Sequence, residues 1–465
     1  MASVALAPTE LGTEKIGKLL KMYAVPGIIA QTAASLYNMV DSIYIGHIPG
    51  VGSAAISGLA VTFPLMNLAT AMGTLVGVGA TTLISVLLGQ KNYDTARRVL
   101  SNVLSLNLII GALFSGVTLA FLDPILRFFG ASDVTLPFAR DYMLIILIGN
   151  VFTHLYFGFN GLIRASGHPK TAMGLTLFTV ISNAVLDPVF IFVFEMGIRG
   201  AALATVICQM AALVYTMKFF LDKKNLLHFP KPMFQIDWRI AGQSLAIGLG
   251  PFLMNSAACL VALFINQQLG KYGGDLAIGA YGIVNRLTML FIMVCMGFNQ
   301  GLQPIAGYNY GARQYHRVKE VFVLTAKWEI LVTSLCFLMA ELIPGLAVSL
   351  FTNDPEMIEM ASRALRIMCA GTALVGFGIT TSTFFQCLGM VSKSIFLSLS
   401  RQLIFLLPLI YSLPMWFQEK GVWMSFPIAD TLSVVVSLVF VLRLFKKFDK
   451  LKDGQDAGAL GSAIK

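Results

Sequence analysis

Twelve apolar stretches recur along this chain, at roughly 19–45, 54–82, 97–121, 138–160, 171–193, 199–220, 240–268, 276–299, 318–342, 362–386, 394–415 and 424–446. About twenty apolar residues in a row are what a helix needs to cross the hydrocarbon core of a bilayer. Inside that core every backbone polar group must be satisfied within the protein, which restricts such segments to helices. The predicted fold is therefore an all-α polytopic membrane protein with twelve transmembrane helices. Composition agrees: 57% of the 465 residues are hydrophobic and 12% are charged, against about 25% charged in soluble domains. The stretch ahead of span 1 mixes Glu10, Glu14, Lys15 and Lys18 with small residues, and the run that follows reads as an uncleaved first span. Six cysteines all fall in apolar runs with no CxxC pair, which fits buried hydrophobes rather than metal ligands or disulfides.

A net charge of +10 invites a nucleic-acid reading, but the distribution of the basic residues excludes it. Lys15, Lys18 and Lys21 precede span 1, Arg97 and Arg98 follow span 2, Arg164 and Lys170 follow span 4, and Lys223, Lys224, Lys231 and Arg239 follow span 6. Arg313, Arg317 and Lys319 follow span 8, and Lys446, Lys447 and Lys450 close span 12, whereas the alternate loops hold few. The positive-inside rule turns that asymmetry into topology, with both termini cytoplasmic. An even number of spans requires the same. The expected location is the inner (plasma) membrane of a prokaryote, with the lipid bilayer as surroundings, a monomer and no nucleic acid.

The chain also repeats itself. Gly79 and Gly301, Gly89 and Gly311, Tyr93 and Tyr315, Phe129 and Phe351, and Gly167 and Gly389 all pair at one constant offset, a little under half the chain. Pro26 and Pro251 match at a slightly longer one. Six spans preserve orientation, so the predicted repeat is parallel, two six-helix lobes related by a pseudo-two-fold axis along the membrane normal. The expected organisation is an N-terminal lobe at 1–220, a cytoplasmic linker at 221–239, a C-terminal lobe at 240–447 and a tail at 448–465. Such repeats are typical of transporters with a central site between the halves.

Polar groups inside the spans mark the candidate site. Asp187 sits deep in span 5, followed by Pro188, with Asn183 one turn earlier on the same helix face. Pro188 has no amide hydrogen and clashes with the carbonyl of Ala184, which frees that oxygen. Span 1 carries Tyr37 and Asp41, span 4 Tyr142 and Asn160, and span 6 Thr205. Taken singly, Asn160, Asn183 and Thr205 fit helix-to-helix hydrogen bonding. Two carboxylates close together in low dielectric share a proton or hold a cation between them. The repeat supplies a control: Asp187 falls opposite Leu409, Asn183 opposite Phe405 and Asp41 opposite Asn266. The second half lacks the acidic pair, which favours ion coupling over scaffolding.

These residues resemble the MATE (multidrug and toxic compound extrusion) transporters, prokaryotic DinF-like branch. The resemblance spans nearly the whole chain: six plus six spans, Pro26, Asp-Ser-Ile-Tyr-Ile-Gly at 41–46, Gly-Ala-Thr-Thr at 79–82, Gly-Leu-Ile-Arg-Ala-Ser-Gly at 161–167, Asn-Ala-Val-Leu-Asp-Pro at 183–188 and Gly-Ala-Ala-Leu-Ala-Thr at 200–205. It implies a cation or proton site at Asp41, Asn183, Asp187 and Thr205, with Asn160 and Tyr142 in the same polar network; the first four would be the ligands if the ion is Na⁺. It also implies no enzymatic activity and no cofactor beyond the coupling ion, Na⁺ or H⁺.

The function expected is a secondary active antiporter exporting organic, often cationic, small-molecule amphiphiles. Pro26 is the expected hinge of span 1, and Tyr37, Phe63, Met173, Met289 and Asp430 are expected cavity residues. Asp430 reads also as a satisfied helix-packing polar group or a functional intramembrane acid, and Arg401 as a residue able to pair with an acid. The alternative is a flippase for lipids or lipid-linked intermediates, which needs basic residues in its cavity; Arg286 and Arg401 are the candidates.

Overall fold

The computed structural model describes residues 9–451 and 453–455, the side chain of Met39 excepted; most of the expected tail at 448–465 lies outside them. Among these residues twelve membrane-length segments follow one another: α1 (Ile16–Gly46), α2 (Gly52–Gly89), α3 (Tyr93–Ala120), α4 (Leu136–Ala165), α5 (Pro169–Val193), α6 (Ile198–Leu221), α7 (238–273), α8 (275–311), α9 (Tyr315–Leu342), α10 (355–387), α11 (Val391–Phe417) and α12 (Glu419–Asp449). There is no strand among the described residues. α1, at 31 residues, is long enough to span but is diluted by Gln31, Asn38 and Asp41.

The breaks have local causes. α7 and α8 run as one 74-residue helix interrupted at Gly274, whose φ of 68° and ψ of −166° suit only glycine. The loop expected at 269–275 is thus reduced to a kink. α10 bends by 47° after Cys369, where Gly371 lies so close to α12 that a Cβ there would come within 2.9 Å of Pro427 Cα. α5 ends in a π-helical turn, Val189–Val193, directly after Pro188. The Phe194 N–H donates to Val189 O, five residues back, at 2.9 Å. Loss of one helical bond at Pro188 permits that widening.

The sequence repeat is written into the backbone. Lys91 and Arg313 both have φ of 58°, and Gly167 and Gly389 are both left-handed. Short helices follow α3 at Leu122–Phe128 and α9 at Pro344–Ser349, and their starts keep the same offset.

The chain forms two compact units, and neither is a simple half of the sequence. One holds Ile29–Phe252; the other holds Glu14–Ile28 together with the chain from Leu253 onward. The opening of α1 therefore packs within the second unit, and the opening of α7 within the first. Glycines make both contacts. A Cβ at Gly79 of α2 would lie 1.8 Å from Ser244 O of α7, and one at Gly248 of α7 1.8 Å from Leu75 O of α2. In the other unit Gly297 of α8 meets Ile28, and Gly301 meets Ala24, of α1. Gly79 and Gly301 are repeat mates, so each unit uses the same glycine position to seat the incoming helix.

The core of the first unit gathers Leu65, Leu126, Met143, Leu147 and Ile191. The core of the second is built on Ile265, Val284, Leu365, Ile410 and Trp423. The 221–239 connection is packed on the first unit: Arg97 Nε donates to Leu226 O at 3.1 Å, and Phe229 is buried against Phe159 and Phe220.

Candidate functional site

α1, α4, α5 and α6 of the first unit bring the polar side chains together. Asp187 immediately precedes Pro188, after which α5 widens, and Asp41 lies about a turn and a half from the end of α1. They are 0% and 6% exposed. Asn183 Nδ2 donates to Asp187 Oδ1 at 2.5 Å. Thr205 Oγ1 donates toward Asn183 Oδ1 and Ala201 O, each at 3.1 Å. A hydroxyl has a single proton, so the Tyr37 hydroxyl, 3.0 Å from Thr205 Oγ1, is the donor in that pair. The result is a one-directional chain: Tyr37 to Thr205 to Asn183 to Asp187.

The carboxyl groups of Asp41 and Asp187 lie within interaction distance of one another. Two carboxyl groups can bond only with a proton between them. One oxygen of each, Asp41 Oδ1 and Asp187 Oδ2, is buried without a hydrogen-bond partner. Tyr142, 3% exposed, stands within electrostatic reach of both acids. No lysine, arginine or histidine side chain bonds to either carboxylate among the described residues.

The remaining expected residues lie elsewhere. Asn160 is on the same helix as Tyr142 but about five turns on, roughly 27 Å along the axis. It donates to Ala172 O at 3.0 Å and accepts from Arg164 at 3.3 Å. The structure thus corrects its placement: Asn160 anchors the start of α5 and is not part of the carboxylate network. Asp430, 3% exposed, accepts from Arg401 Nε at 2.6 Å across α11 and α12. It is an ion-pair partner within the second unit, and Arg401 spends its charge on it. Phe63 and Met289 are 65% and 41% exposed, and Met173 is half-buried on α5. Of the five expected cavity residues, only Tyr37 joins the acids. Pro26 is buried within an α1 that continues through it. It lies three residues before α1 passes from one compact unit to the other, and its repeat mate Pro251 stands two residues before α7 does the same.

Sequence reasoning passed over Glu329, in the middle of α9 and 0% exposed. The signal was present, since it is an acid inside an apolar run, and its repeat mate is a buried Asn107.

As to chemistry, the described residues contain no group of three or more His, Cys, Asp or Glu side chains arranged to hold a metal ion. The first-unit cluster offers two acids, an amide and hydroxyls. That set suits a proton or a hard monovalent cation.

Twelve membrane-length helices among the described residues, in two units with a buried acid pair in one of them, are the architecture of a polytopic membrane protein. The MatE family profile matches residues 26–189 and 251–412. The chain belongs to that family, whose members are transporters rather than enzymes. Among its relatives, the "Multidrug export protein MepA" of Staphylococcus aureus is 28% identical over 427 residues, covering 92% of this chain and 94% of the relative. The protein of the same name from Staphylococcus haemolyticus is 28% identical over 429 residues, with the same coverage. Among solved structures, the MATE multidrug transporter DinF-BH, in complex with a small molecule, is 35% identical, covers 95% of this chain and 98% of its own, and superposes with a TM-score of 0.86. An outward-facing multidrug resistance MATE transporter of the MOP superfamily superposes at 0.90 with 22% identity, covering 96% and 100%, which speaks to the fold.

Proposed function

We propose that the chain is a proton-coupled multidrug efflux antiporter that exports organic, often cationic, amphiphiles, with Asp41 and Asp187 as the coupling site. The names of its relatives support the efflux class: MepA proteins are multidrug export proteins, and DinF-BH is a multidrug transporter solved with a small molecule bound. One observation carries the choice of ion. Asn183 presents its Nδ2 donor to Asp187 and its Oδ1 to Thr205. A Na⁺ site built on Asp41, Asn183, Asp187 and Thr205 needs oxygen lone pairs directed at the ion. The hydrogen-bond chain engages Asn183, Thr205 and one oxygen of Asp187 internally, and the two unpartnered carboxyl oxygens, one on each acid, are left to take a proton.

In this reading the proton neutralises the acid pair and holds α1 against α5 and α6. Its release leaves two like charges in low dielectric, which drives α1 away. A substrate that binds the two states unequally then exchanges for the proton. Pro26 supplies the bend. The protein acts as a monomer in the plasma membrane of a prokaryote, termini cytoplasmic. The flippase alternative draws no support from Arg401, whose charge is matched by Asp430.

Ethidium efflux from proteoliposomes, driven in turn by an imposed pH gradient and an imposed Na⁺ gradient, tests this reading. Transport with the pH gradient alone is the expected outcome. Transport with Na⁺ alone overturns the choice of ion. No ethidium movement with either overturns the substrate class.

A further inference from the structure

The second unit holds a carboxyl group that nothing in the coupling scheme uses. Glu329 lies midway along α9, 0% exposed, and neither of its oxygens has a hydrogen-bond partner. Gly376 of α10 packs directly on its backbone and Cβ, leaving no gap on that side. Thr380 of α10 stands beside the carboxyl, but donates its proton to Gly376 O at 2.9 Å. Cys295 of α8 lies within electrostatic reach of the carboxyl, and among the described residues no charged side chain of α8, α10 or α12 pairs with it. An ionised carboxylate in such a place is expensive, by several kcal/mol or more.

The repeat shows that the acid is not a packing requirement. Its mate in the first unit is Asn107 on α3, also 0% exposed and also without partners for its side-chain atoms. The mate of Thr380 is Gly158, which abuts Asn107. The same niche is thus filled by a neutral amide in one unit and by an acid in the other.

A polar line leads away from Glu329 toward the end of α9 that carries Lys319. Thr325 lies one turn along α9 from Glu329, and Asn299 one turn along α8 from Cys295, both on the shared face. Thr325 Oγ1 and both side-chain atoms of Asn299 are buried with no partner.

We propose that Glu329 is a second proton-binding site of this transporter, holding one exchangeable proton within the second unit. Thr325 and Asn299 provide the route by which water reaches it when α8 and α9 part. In the exchange the carboxyl O–H bond breaks, the proton passes to water as hydronium, and Glu329 is left as the carboxylate until it is reprotonated. The proposal goes beyond the coupling site in the first unit and needs only that the chain is a membrane transporter.

Infrared spectra of the full chain in lipid, recorded in H₂O and D₂O, test it. The expected result is a protonated-carboxyl C=O band that shifts in D₂O and loses intensity as the pH is raised. That band is absent in Glu329→Gln and present in the Asp41→Asn/Asp187→Asn double variant, so the two sites fail or stand separately. A band assigned to Glu329 that neither shifts in D₂O nor responds to pH overturns the proposal, as does a spectrum unchanged in Glu329→Gln. The S–H stretch of Cys295, identified by its loss in Cys295→Ser, reads the same event with Glu329 in place. It is expected to shift in step with the carboxyl band, and a thiol band indifferent to pH counts against exchange.

Discussion

Asn183 Nδ2 lies 2.5 Å from Asp187 Oδ1, one helical turn along α5. This bond occupies Oδ1 of Asp187 and leaves Oδ2 buried without a hydrogen-bond partner. A hydrogen bond to a charged group contributes about 1.5–3 kcal/mol. Asn183→Ala is therefore expected to lower ethidium efflux ten-fold or more, with the protein still folded. Efflux kinetics in proteoliposomes check it, and an unaltered rate would mean that Asp187 does not rely on this donor.

The seat of α7 on α2 gives a stability prediction. Gly79→Ala sets a methyl 1.8 Å from a backbone oxygen of Ser244, which no side-chain rotation relieves. The helices have to separate, at a cost of about 1–3 kcal/mol or more. Thermal unfolding of the detergent-solubilised protein is expected several degrees lower for Gly79→Ala. Gly116→Ala, where a Cβ meets nothing within 4 Å, is the matched control.

Pro26 and Pro251 stand where α1 and α7 leave one compact unit for the other. Replacing Pro26 with alanine restores a backbone donor to Met22 O and stiffens α1. The expectation is efflux reduced about ten-fold with thermal stability unchanged or improved. Efflux at the normal rate would show that α1 does not need to bend there.

Arg401 and Asp430 form an ion pair with Asp430 3% and Arg401 36% exposed at the side chain. Removing one partner strands the other. Arg401→Met is expected to cost about 2 kcal/mol, at the modest end because the guanidinium is partly hydrated. The Arg401→Met/Asp430→Leu double variant is expected to recover most of that loss. A double variant as unstable as the sum of the two singles would refute the pairing.

Much of this was legible before any coordinates. Apolar runs give twelve spans, and the constant offset between matching residues gives the lobes, because both are one-dimensional signals. Asp41, Asn183, Asp187 and Thr205 stood out as polar groups in hydrocarbon, and the fold brings them together. Asn160 shows the limit of that reasoning. Its sequence distance from Tyr142 already set it about 27 Å away along a straight helix, yet the resemblance placed both in one polar network. The exchange of α1 and α7 between units was hidden, since a glycine that admits a distant helix looks like any other glycine in an apolar run. Glu329 was visible as an intramembrane acid, but its lack of partners is a tertiary fact.

The central claim is that the proton shared by Asp41 and Asp187 is what the substrate displaces. The most direct measurement is proton release into weakly buffered solution when ethidium binds the purified protein, read with a pH indicator. About one proton per bound dye is expected for the wild type. Almost none is expected for Asp41→Asn or Asp187→Asn, while Glu329→Gln releases as the wild type does. Undiminished release from both aspartate variants, with dye still bound, would contradict the account.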